Sequence, residues 1–228
     1  MIVEIDLNKQ IKNKQRRAQA ATIFIAVTGA TLLAACASVD QPVDSLTSMK
    51  ASFSERGPAK LDRLDQNEVQ RVCSQADLTG KAVDEKTRER IQTTLYQGIL
   101  YPADGKYTGD WKQGEKIAQD GTGLQFSDKI GAPSGANCYA CHQIAPQEIS
   151  YGNIGPSLYK YGVMRGVKDP NSKDSEAIVK YTWARIWNTH SVNLCSNMPR
   201  FGDAGILTTA QIKDVMALLL DPSSPVNK

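Results

Sequence analysis

Histidine is almost missing from this chain: 228 residues contain only two, His142 and His190, alongside five cysteines. A structural zinc site wants four nitrogen or sulfur ligands, usually drawn from two closely spaced pairs. Only Cys138 and Cys141 make such a pair, while Cys36, Cys73 and Cys195 stand singly. Alternating apolar and polar stretches of strand length are also lacking, which removes the βαβ setting that a thioredoxin-like C-x-x-C needs. No internal repeat is present. No apolar run reaches the roughly 18 to 20 residues that cross a bilayer; the longest, Ala20 to Ala35, has 16, mostly small. A basic excess is absent from the body of the chain as well. The 27 Lys and Arg against 24 Asp and Glu give +3, but residues 1–35 hold five of those cations and two of those acids, leaving 22 of each. A near-neutral body lacks the electrostatic footprint of nucleic-acid binding.

What stands at the amino terminus is a leader. Lys9, Lys12, Lys14, Arg16 and Arg17 precede the apolar run ATIFIAVTGATLLAA, the charged and apolar regions of an export signal. Its end reads two ways: Leu33-Ala34-Ala35-Cys36 resembles a bacterial lipoprotein box in which Cys36 becomes the lipidated first residue, and Ala35-Cys36-Ala37 suits an ordinary cleavage. Either way residues 1–35 are set aside, and 193 residues remain, enough for one domain plus an extension.

Residues 36–60 are rich in Ser, Asp and Pro and read as a flexible tether. Residues 61–107 read as a helical extension. There Leu61, Leu64, Val69, Val72, Cys73 and Ala76 recur at helical spacing, Asp65 to Glu68 resembles a capping box, and a second helix is expected from Asp84 to Gln97. The turn-rich YPADGKYTGD separates this extension from residues 108–228, the expected main domain. Asp110 caps WKQGEKIAQ; SEAIVKYTWARIWN carries the stripe Val179, Trp183, Ile186 and Trp187; and Thr208 with Gln211 forms a capping box opening a helix with Ile212, Val215, Met216 and Leu219 inward. The fold class is mainly α.

In GANCYACHQI, residues 135–144, Cys138 and Cys141 lie two residues apart with His142 directly behind. C-x-x-C-H is the attachment signal for c-type haem: each thiol forms a thioether to a vinyl group, and the imidazole reaches the iron. The motif occurs once, so one haem is expected, with His142 as the proximal ligand. The opposite axial position has four candidates. Met216 sits on an apolar helical face, where methionine is more often core filler. Met164 lies in YGVMRG beside Arg165. His190 stands near a helix end. Met198, in SNMPRFGD, occupies a loop that Pro199 and Gly202 keep irregular, and context favours it, since methionine and histidine together are a standard ligand set in cytochromes c. Met164, Met216 and His190 remain as alternatives.

With Cys36 lipidated or removed and Cys138 and Cys141 committed to haem, Cys73 and Cys195 are left as one even pair in an exported, oxidising setting, and are expected to form a disulfide.

NCYACH, IGPSLYKYG, NMPRFG and a capped carboxyl-terminal helix together resemble class I cytochromes c. On that resemblance Pro156 presents its carbonyl to the proximal histidine, and the haem domain takes the class I fold. YPADGK, GDWKQGEKIAQDG, SYGNIGPSLYKYG, CSNMPRFG and GILTTAQIKDVMALLLDPSSPVN narrow it further: from about Leu61 to the end, the chain is similar to the X subunits of sulfur-oxidising (Sox) cytochrome complexes. The resemblance implies a periplasmic electron-transfer subunit paired with a haem-bearing SoxA-type subunit. Together such subunits act as an L-cysteine S-thiosulfotransferase, joining thiosulfate oxidatively to a cysteine of a SoxYZ-type carrier, with the bond made on the A subunit and the electrons passed to a soluble cytochrome c. A stand-alone monohaem carrier is the main alternative, and a gas-binding or sensing haem lipoprotein a further one. The lipoprotein-like box at Cys36 departs from what the resemblance implies, so a membrane tether is a separate expectation.

Overall fold

The computed structural model describes residues 44–228. The leader and Cys36 lie outside the described residues. Two compact units divide the chain after Ser52.

Within the first unit, helix α1 spans Ser45–Ser52 and buries none of its residues. The sequence reading placed a flexible tether here. A local cap accounts for the difference: the Asp44 carboxylate accepts from the Thr47 amide at 3.1 Å and from its hydroxyl at 2.9 Å, satisfying a donor that the first turn leaves open.

The second unit, residues 53–228, is helical throughout and contains no β-strand among the described residues, only an isolated bridge between Arg56 and Ala59. Its helices are α2 (Glu68–Thr79), α3 (Glu85–Gln97), α4 (Trp111–Gln119), α5 (Tyr161–Met164), α6 (Glu176–Trp187) and α7 (Thr209–Leu220). A capping box opens α2, but it is Asn67 with Gln70, not Asp65 with Glu68; Asp65 instead closes a short 3-10 turn at Leu61–Leu64. Asp65 is extended too, but the helix begins at Glu68, so it is Asn67 whose side chain accepts from the Gln70 amide and whose own amide Gln70 answers. Asp84 caps α3 through the Thr87 amide. These two helices close over a small core of Val69, Ile91 and Leu194, flanked by Val72, Cys73, Val83 and Leu95.

The larger core forms where α4 crosses α7. At the crossing α4 carries Gly114, at which a Cβ would stand 2.1 Å from the Asp214 carbonyl oxygen, so the two backbones meet at a distance only glycine permits. Beside it Asp214 accepts from the Asp110 amide at 2.8 Å, and Gly109 donates to the Lys213 carbonyl at 2.9 Å, pinning the start of α4 to α7. Helix α6 adds Val179, Trp183, Ile186 and Trp187, and α7 adds Ile212, Val215, Met216 and Leu219. Burying each such side chain fully stabilises the fold by roughly 1.5–3 kcal/mol relative to exposure. Trp183 is wholly buried, and its indole donates to the Leu100 carbonyl at 3.1 Å, which ties α6 to the segment leaving the extension. At the carboxyl end the Asn227 amide accepts from Gly162 and donates to the Leu219 and Asp221 carbonyls, sealing the last free groups of α7.

Candidate functional site

After α4 the chain doubles back on itself. Gly135 donates to Thr122, Ala136 to Ile117 and Asn137 to Asp120, each at 2.9 Å, so the loop lies along the end of α4 and hands the chain to Cys138. The return is tight enough that a Cβ at Gly135 would stand 2.0 Å from the Asp120 carbonyl oxygen. Asn137 turns the corner in the left-handed region, at φ 47°. Cys138–Ala140 is then one 3-10 turn, and the His142 amide closes on the Cys138 carbonyl at 2.9 Å. This winding places Cys138, Cys141 and His142 on the wall of one cavity of about 650 Å³.

Residues 152–158 clamp the motif from outside. Gly152 donates to Tyr139 at 2.9 Å, Gly155 to Cys141 at 2.8 Å and Leu158 to Gln143 at 2.7 Å. The Pro156 carbonyl lies 2.7 Å from His142 Nδ1. A carbonyl can only accept, so Nδ1 carries the proton, and a neutral ring then holds its free lone pair on Nε2, the form required of a metal ligand. The approach needs Gly155, where a Cβ would stand 2.1 Å from His142 Cε1.

Cys138 is half-buried by accessible surface because one side opens on the cavity, yet protein atoms enclose its sulfur, and that burial pushes the thiol up to about 12. Burial therefore favours its protonated, uncharged form.

The loop that follows α6 lines the same cavity. Of the four axial candidates only Met198 lies on the cavity wall. Met164 is 79% exposed at the end of α5, and Met216 is fully buried in the core. His190 points its Nε2 at the Ser196 carbonyl, 3.0 Å away, and burial lowers its pKa. Leu218, Val215, Ile186 and Phe201 supply much of the apolar lining. Arg185, half-buried, is the one permanent cation on the wall, and no carboxylate among the described residues pairs with it.

Cys73 and Cys195 are joined in a disulfide, with Cα atoms 5.6 Å apart, and Cys195 also borders the cavity. Sequence reasoning missed Gly155 and Arg185 as parts of the site. A Gly directly before the expected acceptor Pro156 was the available signal for Gly155; Arg185 offered no signal within its amphipathic helix.

The donor set fits a covalently held haem. Two thiols, an imidazole in the ligating tautomer and a thioether line one cavity, its volume is that of a cofactor site, and a lone guanidinium on its wall suits carboxylates. Among the described residues no group of three or more His, Cys, Asp and Glu is placed to hold a bare metal ion.

Fold and cavity thus define a mainly helical protein with a thiol, imidazole and thioether pocket. No protein-family model matches the chain. A protein of Aquifex aeolicus (strain VF5) described as an "Uncharacterized lipoprotein" is 45% identical over 132 residues, which is 57% of this chain and 58% of that protein. The chain therefore matches less than two-thirds of that relative's length.

Proposed function

We propose that this protein is a monohaem c-type electron-transfer protein and, more narrowly, the X subunit of a SoxAX-type complex. The observation that carries the first part is the meeting, in one cavity, of Cys138, Cys141, a His142 whose Nδ1 is engaged by Pro156, and Met198. When bound, the haem supplies a one-electron couple. Cys138 and Cys141 would attach it, Pro156 orients His142 so that Nε2 is free to ligate, Met198 would supply the second protein ligand, and the apolar wall excludes water. With His142 and Met198 both as ligands, the iron would have no open position, which would suit electron transfer and disfavour gas binding.

The narrower part rests on the sequence resemblance from Leu61 onward. It implies a SoxA-type partner, a SoxYZ-type carrier as the site of thiosulfate coupling and a soluble cytochrome c as acceptor, with no nucleic-acid role. A periplasmic location follows from the export leader, and the relative described as a lipoprotein supports a membrane tether through a lipidated Cys36. No helix among the described residues is long and apolar enough to cross a membrane.

Purification of the tagged protein from a cell able to mature c-type haem tests each layer. The expected product carries one covalent haem and brings down a second haem protein with thiosulfate-dependent activity. A haem-bearing monomer with no partner supports the stand-alone carrier in its place, and a protein without covalent haem overturns both.

A further inference from the structure

Both ends of the Met198 loop meet at one residue. Gly202 and Asp203 donate to the Trp187 carbonyl at 3.1 Å, so residues 188–201 leave α6 and return to its last turn. A loop of this length whose ends touch depends on its own packing for rigidity. Here the packing comes from elsewhere in the sequence. Leu194, 4% exposed, is buried between Val69 of α2 and Ile91 of α3, and the next residue, Cys195, is bonded to Cys73 of α2 across a sequence separation of 122.

From that anchor a short chain of contacts leads to Met198. The Ser196 hydroxyl accepts from the Met198 amide at 3.2 Å and lies 3.3 Å from the hydroxyl of the buried Thr189, while the Ser196 carbonyl accepts from His190 Nε2 at 3.0 Å. Three residues span at most about 11 Å of extended chain, so fixing Cys195 confines the Met198 backbone to a small volume beside the cavity.

We infer that the extension formed by α2 and α3 is a positioning clamp for Met198, acting through the Cys73–Cys195 disulfide and the Leu194 anchor. The inference rests on the haem reading of the cavity. Its content is that the first helices, which contribute no ligand, decide whether the thioether stays at the sixth position. Severing the clamp gives the loop other conformations to occupy, and the fraction of molecules with Met198 withdrawn rises.

The test uses the full haem-bearing chain and two observables that a purely structural role would not move: the weak far-red absorption of a methionine-to-iron bond in the oxidised protein, and carbon monoxide binding by the reduced protein. The clamp is cut in two ways. One is the double variant C73S/C195S. The other, which needs no refolding, is native protein reduced with a phosphine, alkylated and reoxidised at iron with ferricyanide. T208A, which removes the α7 cap far from the clamp, serves as the control for general loss of stability.

Intact protein is expected to show the far-red band and to exclude carbon monoxide. Cut protein is expected to lose band intensity and to bind carbon monoxide in at least about a tenfold larger fraction, the change that 1.4 kcal/mol of positioning supplies. T208A should behave as intact. Cut protein that keeps the band and excludes carbon monoxide overturns the clamp, as does a T208A protein that loses the band equally. Haem-bearing intact protein with no far-red band overturns the Met198 assignment itself, and the clamp with it.

Discussion

At the residue scale the cavity contains one feature that its apolar lining does not require. A guanidinium always carries its charge, and half-burying it without a counter-ion costs solvation. Arg185 tolerates this on the cavity wall. A cation near a redox centre stabilises the electron-rich state, so in the haem-loaded protein R185Q should lower the reduction potential, by on the order of 59 mV, a tenfold change for a one-electron couple. Equilibrium redox titration reads this; an unchanged potential removes Arg185 from the electrostatics of the site. His190 makes a second residue-scale prediction. Burial lowers its pKa from the ordinary 6.5, with hydrogen bonding to Ser196 opposing, so folding favours the neutral ring. A group depressed on folding contributes stability above its unfolded value and loses it as pH falls through the folded one. Melting temperature should therefore decline as pH drops from about 6.5, above the window near 4 in which Asp84, Asp104 and Asp120, all lowered by hydrogen bonds, begin to lose theirs. H190Q should flatten the upper part of that profile and leave the lower part in place. Both residues show what a sequence hides: Arg185 and His190 take their meaning from neighbours brought together by tertiary folding.

Elements were more legible than residues, because a helix end leaves local chemistry behind. Asp110 and Thr208 each cap the helix that the sequence assigned to them, Asp84 caps the helix expected to start at it, and the stripe on α6 is buried as its spacing implied. Three features escaped. Asp65 was read as part of a cap that Asn67 makes, since several adjacent polar residues satisfy the same pattern. Helix α1 arises in a segment of low apolar content from a single Asp44 cap. Helix α5 follows a left-handed Lys160, at φ 54°, a backbone state that side-chain identity does not announce. The crossing of α4 on α7 was invisible as well, although Gly114 is its mark: within an otherwise good helical pattern a glycine costs about 1 kcal/mol, which close packing can repay. G114A should therefore destabilise in spite of alanine's better helix propensity. Its methyl meets the Asp214 backbone and not a movable side chain, so overpacking should cost roughly 1–3 kcal/mol in denaturant unfolding. A neutral or stabilising G114A would mean that the two helices part without penalty.

On the scale of the whole molecule, cysteine bookkeeping was legible because it depends on counts and compartment, not geometry. The cavity was not, since its walls come from residues 118 to 219 and only folding assembles them. That distribution of thiols also sets what the chain can do alone. Among the described residues four cysteines occur; Cys73 and Cys195 are bonded to each other, and Cys138 and Cys141 face the cavity that the proposed haem fills. Joining thiosulfate to a carrier cysteine forms a sulfur–sulfur bond and releases two electrons, which calls for a sulfur-binding centre and two one-electron acceptors. A single haem with both axial positions taken offers one acceptor and no open position, and loading it leaves no thiol among the described residues to hold a sulfur intermediate. The isolated, haem-loaded chain should accordingly accept one electron from dithionite and return it to a soluble cytochrome c, yet leave a carrier cysteine unmodified when given thiosulfate and an oxidant. Mass spectrometry of the carrier reads the outcome directly. Conjugation by the chain alone would place the sulfur chemistry here and end the division of labour with a partner subunit; conjugation that appears only when a second haem protein is added supports it.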